Sequence, residues 1–559
     1  MERRNLILAI ALSFLVLVGY QFLFLKKEPQ AVSPAGRVAQ AAAQPAPSPT
    51  PPTPTPAPQK AAEVPSKELN INKIEGSGEN VVTVRTSLYE ATWTSRGGVL
   101  TSWKLRRQKN EKGEDLDLVS AASKETGVYP FALLEPAAET AISEIASSPA
   151  NSVFYRTGSG TIDVQDGRTA ELKFEYSDGR SLEVEKVFTF AGGRYDFDIA
   201  VRVRRNGQPV EARVLWGPGI GNPSEAELKQ RFGSSGGASV WASGRLFRVE
   251  GIPAKYKPET SAFNFATWAA YDDNYFAALI LPGGPNGTAS FLMKPAEKAT
   301  YFLLAVANPQ KAFVGPKEYD RLSSFGFGAK KIVRFGFFGF FAEMLFYAIK
   351  FIHRFVPNWG FAIIVLTFVI KLLFFPLSYT QTKSMVKMAE LQPKIKALKA
   401  KYKNAKRDIE QRRLMNEETM KLYKQHGVNP AGGCLPMLVQ IPFFFGFFAM
   451  LRSAIEFRQS PWIFWIKDLS VQDPIYITPI LMGLTQFISQ KMTPTAADPA
   501  QQRMMLIMPL VFTIFFINFQ SGLVLYWLTS NVLQIGQQYI MNRLMKAKKV
   551  EAHGKRRKG

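Results

Sequence analysis

Sulfur and imidazole are almost missing from this chain. Its 559 residues include one cysteine, Cys434, and three histidines, His353, His426 and His553. A single cysteine excludes an intrachain disulfide and any cysteine-rich metal site. Residues 26–330 contain neither His nor Cys, so a domain there folds on its core alone and has no imidazole for acid–base work. No Walker loop, dinucleotide-binding glycine motif, HExxH or nucleophile elbow stands in a fitting context. No catalytic residue, cofactor or metal is therefore expected, and the chain does not read as an enzyme. Acidic residues are the minority sign, 45 against 69 Lys and Arg, for a formal net charge of +24. Such a surplus suits nucleic acid or anionic lipid.

A chain this long exceeds one core. Its mean hydropathy near zero conceals a division between long apolar runs and a large polar block, the pattern of a membrane protein with an extramembrane domain. Residues 1–27 open with Arg3 and Arg4, continue through an apolar run from Leu6 to Leu25, and end at Lys26-Lys27. About 20 apolar residues span a bilayer, and no Ala-x-Ala site follows closely, so this segment reads as an uncleaved signal-anchor with its N-terminus in the cytoplasm. Residues 28–65 are rich in Pro, Ala, Gln and Thr, which predicts a disordered, semi-extended linker.

Residues 66–330 read as β. Alternating runs such as Val81–Val84, Leu172–Tyr176 and Tyr195–Ile199 are separated by turn residues, and Asp178-Gly179 and Asn206-Gly207 are hairpin signals. Many strands at this spacing predict a large sandwich, on the outer, periplasmic side. Residues 331–357 hold a short aromatic stretch, Phe335–Ile349, interrupted by Glu343, flanked by Lys and Arg and ended by Pro357. About 15 apolar residues are too few to span, which predicts an interfacial amphipathic helix.

Candidate spans follow at about 360–378, 433–452, 475–491, 503–519 and 521–542, within a core of 358–545. The Lys- and Arg-dense stretch 379–428 belongs in the cytoplasm by the positive-inside rule. One crossing then separates it from the β block, and the C-terminus also lies inside. Within it, Met388, Leu391, Ile395, Leu398 and Tyr402 repeat at 3-4-3-4 spacing, a coiled-coil seam. Pro393 sits at a kink or turn, and a second helix over about Arg407–Gln425, with a weaker seam of Ile409, Met420 and Tyr423, completes a hairpin.

Lys371 lies inside the first of these spans, where a charge costs about 2.5–3.5 kcal/mol on insertion scales. One reading is snorkelling toward Tyr379. The other is a wet cavity that receives an acidic partner, since at an effective dielectric of ~20 a carboxylate about 4 Å away gains about 4 kcal/mol. Polar residues recur nearby: Thr367 one turn earlier, Gln440, then Thr485, Gln486 and Ser489, then Tyr526, Ser530, Gln534 and Gln537, with Asn531 and Gln538 beside them. Singly these suit helix–helix hydrogen bonds; with Lys371 they suit a shared hydrophilic groove. The basic tail 546–559, with Lys546, Lys548, Lys549, Arg556, Arg557 and Lys558, suits anionic lipid or ribosomal RNA.

The runs Asn358–Phe361, Leu391–Ile395, Asn429–Pro436, Trp465–Ser470, Pro479–Gly483 and Ser521–Trp527 closely resemble the YidC family of bacterial membrane protein insertases, and the order of segments resembles its Gram-negative form. The resemblance implies a multi-domain membrane protein: a signal-anchor helix, a periplasmic β-supersandwich of galactose-mutarotase type, and a five-span α-helical insertase core with a cytoplasmic helical hairpin. It implies a groove open to cytosol and lipid and closed toward the periplasm, lined by Lys371, Thr367, Gln440, Ile441, Phe444, Gln486, Tyr526, Trp527, Ser530 and Gln534. Implied partners are nascent membrane proteins, the Sec translocon, the signal-recognition pathway, the ribosome and anionic lipids, but not DNA. Two positions depart from the family pattern: Lys371 stands where arginine is typical, and Trp527 where a second tyrosine is frequent.

Two rival classes remain. A secondary transporter needs paired intramembrane charges and internal repeats, of which this sequence has neither. A membrane-anchored carbohydrate-active enzyme needs convergent acid and base residues within 66–330.

Overall fold

The computed structural model describes residues 72–557, apart from 111, 136–140, 222–235, 251–259, 285, 296–299, 403–407, 429–434 and 494–498. The signal-anchor, the Pro/Ala linker and the motif Asn429–Cys434 lie outside the described residues.

Strands occupy the first part of the chain, from Val81–Arg85 to Pro309–Pro316. A nine-stranded sheet runs Arg245–Glu250, Gly237–Ala242, Ala266–Asp272, Phe276–Pro282, Pro309–Pro316, Asp196–Arg205, Leu182–Ala191, Thr169–Ser177, with Gln208–Val210 paired to Asp196–Arg205. A five-stranded sheet runs Asp115–Asp117, Val99–Lys109, Tyr89–Thr94, Val81–Arg85, Gly160–Asp163, and a four-stranded sheet completes the sandwich. Alternation drives this arrangement. In Leu182–Ala191 every second residue is buried, so Val184, Phe188 and Phe190 meet the inner face of the other sheet. Trp93 centres the core, with its ring 4.3 Å from Phe188 and 5.4 Å from Phe131. Asn206 and Gly207 both take positive φ, 52° and 74°, the two-residue turn that suits right-twisted hairpins.

The remainder is helical: α1 Gly339–His353, α2 Trp359–Leu373, α3 Phe375–Glu390, α4 Gln392–Lys401, α5 Ile409–Gln425, α6 Leu435–Ser453, α7 Ile477–Met492, α8 Pro499–Phe516 and α9 Ser521–Arg557. α1 buries Ala342, Leu345, Phe346 and Ile349, while Phe337, Phe340, Met344, Tyr347, Phe351 and Phe355 stay exposed. One face therefore packs on the protein, where a Cβ on Gly446 of α6 would lie 2.8 Å from Phe341. The other is an apolar stripe, as at a bilayer surface.

Among the described residues no single helix is long and apolar enough to cross a membrane; α2 and α3 pass together, bent by 59°. The reasons are local. α2 has 15 residues, about 22 Å at 1.5 Å per residue, against about 30 Å of hydrocarbon. The first turns of α8 carry Gln501, Gln502 and Arg503, and the apolar first half of α9 is broken by Ser530, Asn531, Gln534, Gln537 and Gln538.

The hairpin forms with one correction. Helix breaks at Leu391, and α4 restarts with Pro393 in its first turn. Leu391 and Ile395 pack with Val428, Met388, Leu422 and Tyr423. Ile409 and Met420, expected in the seam, are 81% and 46% exposed. α5 meets its partner through Glu418, which accepts from Lys401 and Tyr402, and through Leu422 and Tyr423, so Leu422 takes the contact that Met420 was expected to make. Asp408 caps α5, accepting from the Glu410 and Gln411 amides.

Candidate functional site

The site is built on one end of each of three helices and the loop that joins them. Residues 454–476 link α6 to α7. Asn358 caps α2, accepting from Phe361 N, and its amide donates to the carbonyls of Pro461 and Trp462, both at 3.2 Å. Asp473 accepts from Thr478 N, Thr478 Oγ1, Ile475 N and Trp465 Nε1, which fixes the start of α7. Ser521 begins α9; its hydroxyl donates to the Asp468 and Val471 carbonyls and its amide to Val471 O at 2.7 Å. These bonds satisfy helix ends that would otherwise be orphaned and set α2, α7 and α9 side by side.

On that frame the Lys371 ammonium of α2 donates to Gln534 Oε1 of α9 at 3.1 Å. Lys371 and Gln534 are both half-buried. Two helical turns earlier on α9, the Trp527 indole donates to Gln486 Oε1 of α7 at 3.1 Å. Its ring stands edge-on to Phe444 of α6 at 4.9 Å. Trp527, Ser530 and Gln534 share one face of α9, spaced about 10 Å along the axis. Ser530 is 8% exposed, and Ile441 on α6 is half-buried.

Two expected groove residues are closed in by packing. Thr367 is buried, and its hydroxyl donates to Ile363 O within its own helix at 2.6 Å. Tyr526 is buried and stacked on Phe447 at 4.4 Å, with Gln440 hydrogen-bonded to it. Asn531 is helix glue, donating to Met482 O at 3.2 Å. Spacing puts Tyr526, Ser530, Gln534 and Gln537 along one side of α9 with Asn531 and Gln538 beside them; in the structure these polar residues divide between α2, α6 and α7.

The tail continues α9 as helix to Arg557; Lys558 lies outside the described residues. Sequence reasoning missed Lys186, buried in the sandwich, and Arg458 and Gln459, which join the loop to the β domain. Lys186 was legible in principle, because it occupies an inward position of an alternating strand.

A large β-sandwich joined to apolar helices, with the half-buried Lys371 ammonium between two of them, is the architecture of a two-part protein whose helical half suits a membrane. Similarity to known proteins narrows this class. A family model described as 60Kd inner membrane protein matches residues 351–549, and one described as YidC periplasmic domain matches residues 81–348. Curated relatives called membrane protein insertase YidC include those of Syntrophus aciditrophicus, 35% identical over 97% of this chain and 99% of its own, and Citrifermentans bemidjiense, 36% identical over 97% and 99%. Among solved structures, an active YidC insertase with its first transmembrane domain resolved covers 85% of this chain and 95% of its own, at 17% identity and a TM-score of 0.37. A putative aldose 1-epimerase from Escherichia coli K12 covers 42% of this chain and 99% of its own, at 11% identity and a TM-score of 0.27. The chain belongs to the YidC family of bacterial inner-membrane protein insertases, which is not a family of enzymes.

Proposed function

We propose that the chain inserts integral proteins into the inner membrane by receiving a client's hydrophilic tail between α2 and α9. The observation that carries this reading is the Lys371–Gln534 hydrogen bond. A cation held by a neutral amide keeps charge to offer an acidic client, and an amide acceptor is easily exchanged for a carboxylate. The client's apolar segment then moves into lipid along Phe444 and Trp527. Its burial supplies the drive, about 25 cal/mol per Å², so no nucleotide is needed. In this reading the first segment anchors the chain, the helices from α2 onward form five spans, and Gln440, Ile441, Gln486 and Ser530 border the client's path. The outer loop 454–476 closes the path toward the periplasm. The hairpin and basic tail meet nascent chains, ribosome, signal-recognition factors or anionic lipid, and the Sec translocon works beside the core for larger clients.

The test is reconstitution of wild type and Lys371→Ala in proteoliposomes with a small single-span client whose translocated tail is acidic, scored by protease protection. Insertion by wild type and not by the variant is the expected result. No insertion above empty liposomes for either protein overturns the reading.

A further inference from the structure

The β domain meets the membrane half near α1, where Tyr319 bonds Glu343 and Asp320 pairs with Lys350, and at a second joint built on the loop between α6 and α7. The strand Val99–Lys109 ends against residues 455–459 of the outer loop. Gln459 pairs with Lys109 as a strand would: Lys109 N donates to Gln459 Oε1 at 3.2 Å, and Gln459 Nε2 donates to Lys109 O at 2.6 Å. Arg458 donates to Gln108 Oε1 at 3.0 Å. Its guanidinium lies 5.3 Å over the Phe276 ring and 5.9 Å from that of Tyr275, a cation–π seat on the nine-stranded sheet. Gln459 holds this pose at a φ of 53°, a conformation that persists where surroundings over-determine it.

The seat beneath Arg458 is tied by buried ion pairs. Asp272 is fully buried, ion-paired to Arg248 and, at 3.1 Å, to Lys317. Lys317 also donates to Asp273 O at 2.6 Å and, through its amide, to Tyr275 O at 2.7 Å. Burial pushes the Asp272 carboxyl up, but the adjoining Arg248 and Lys317 hold it below its ordinary value. Past the joint, Leu469 N donates to Ser460 O, and Gly522 N to Leu469 O at 3.0 Å. A continuous path of bonds thus runs from Gln108 and Lys109, through Arg458, Gln459 and Leu469, to the first turn of α9, the helix that carries Trp527 and Gln534.

We propose that the Gln108–Lys109 strand end of the β domain is a brace that keeps residues 455–474 shut over the outer ends of α2, α7 and α9. This rests on the reading of that loop as the periplasmic closure. The β domain then acts mechanically, and any partner that displaces the strand end loosens the outer mouth.

The test is hydrogen exchange on the full chain in lipid nanodiscs, following peptides over 466–474 and 519–524, with the core strand Leu182–Ala191 as reference. Arg458→Ala with Gln459→Ala is expected to speed exchange in the loop peptides about tenfold, as for a local opening, and to leave the reference strand unchanged. Gln108→Ala, made wholly within the β domain, is expected to speed the same loop peptides, and Arg458→Lys to restore part of the protection. Unchanged loop exchange overturns the brace, and so does equal acceleration in the reference strand, which signals general unfolding. Exchange does not depend on client insertion. The brace and the insertase reading can therefore fail separately.

Discussion

Lys371 and Gln534, 163 residues apart in sequence, meet at 3.1 Å across the seam between α2 and α9. The bond joins a long flexible cation to an acceptor with no charge of its own. Lysine presents a point charge on a four-carbon stem, without the planar fork of the arginine typical of the family at this position. Lys371→Arg is expected to retain insertion of an acidic-tailed client within about threefold, because charge is what the tail meets. Gln534→Leu leaves the ammonium without this acceptor. A hydrogen bond to a charged group contributes about 1.5–3 kcal/mol, so the resting position of Lys371 should shift and insertion fall about tenfold. Protease protection in proteoliposomes measures both. Equal insertion by Gln534→Leu and wild type would show that the pair does not position the cation.

The helices around this seam approach closely because of small residues. A Cβ at Gly483 of α7 would stand 1.9 Å from Thr513 Oγ1 of α8, and that hydroxyl is already committed to Pro509 O at 2.8 Å. Gly483→Ala is expected to destabilise the packing by about 1–3 kcal/mol, the usual cost of overpacking. Thr513→Ala removes the clashing oxygen and should recover most of the loss in the double variant. Thermal unfolding in detergent of the two single variants and the double variant tests this; additive losses would refute the contact as the cause.

The two halves of the chain differ in how much of them is legible in the sequence. Alternation in Leu182–Ala191 and the Asn206-Gly207 turn were legible because strand period and turn chemistry are local. Lys371 stood out because charge is costly in an apolar run. The Lys371–Gln534 pairing was not legible, since residues from 530 to 538 project around the whole of α9 and spacing alone does not say which neighbour each one meets. Thr367 shows the limit most clearly: one turn from Lys371, it still spends its hydroxyl on Ile363 O. The Arg458–Gln108 joint was invisible for a different reason. It links segments 350 residues apart through side chains common on any surface.

Glu456, in the loop between α6 and α7, gives that loop a dependence on pH. Burial pushes its carboxyl up to about 7; Lys350 opposes the shift, and Glu318 and Asp320 add to it. One carboxyl oxygen has no hydrogen-bond partner among the described residues. The folded loop therefore favours the protonated acid. Between the ordinary glutamate value and about 7 the unfolded state binds fewer protons than the folded one, so stability falls as pH rises through this window. Exchange in peptides over 455–474, corrected for intrinsic chemistry, should report easier opening at pH 7.5 than at pH 5. Glu456→Gln should flatten the profile, and a profile unchanged in that variant would assign the effect elsewhere.

Inside the sandwich a buried lysine gives a pH dependence of the opposite sign. Lys186 is fully buried at an inward position of Leu182–Ala191, its ammonium donating to Gly97 O at 2.7 Å, Phe131 O at 2.9 Å and Gly98 O at 3.2 Å. These three partners are neutral carbonyls, and burial pulls the ammonium down from 10.5 to about 7. Between about 7 and 10.5 the unfolded chain holds a proton that the folded chain has released, so the β domain gains stability as pH rises across this window and has no such slope below it. Exchange protection of Leu182–Ala191 should therefore increase from pH 7 toward pH 9. Lys186→Met should abolish that slope while lowering protection at every pH, because three buried carbonyls lose their donor. A slope that survives in Lys186→Met would mean another group drives it; loss of the slope without loss of protection would mean the carbonyls find water or new partners.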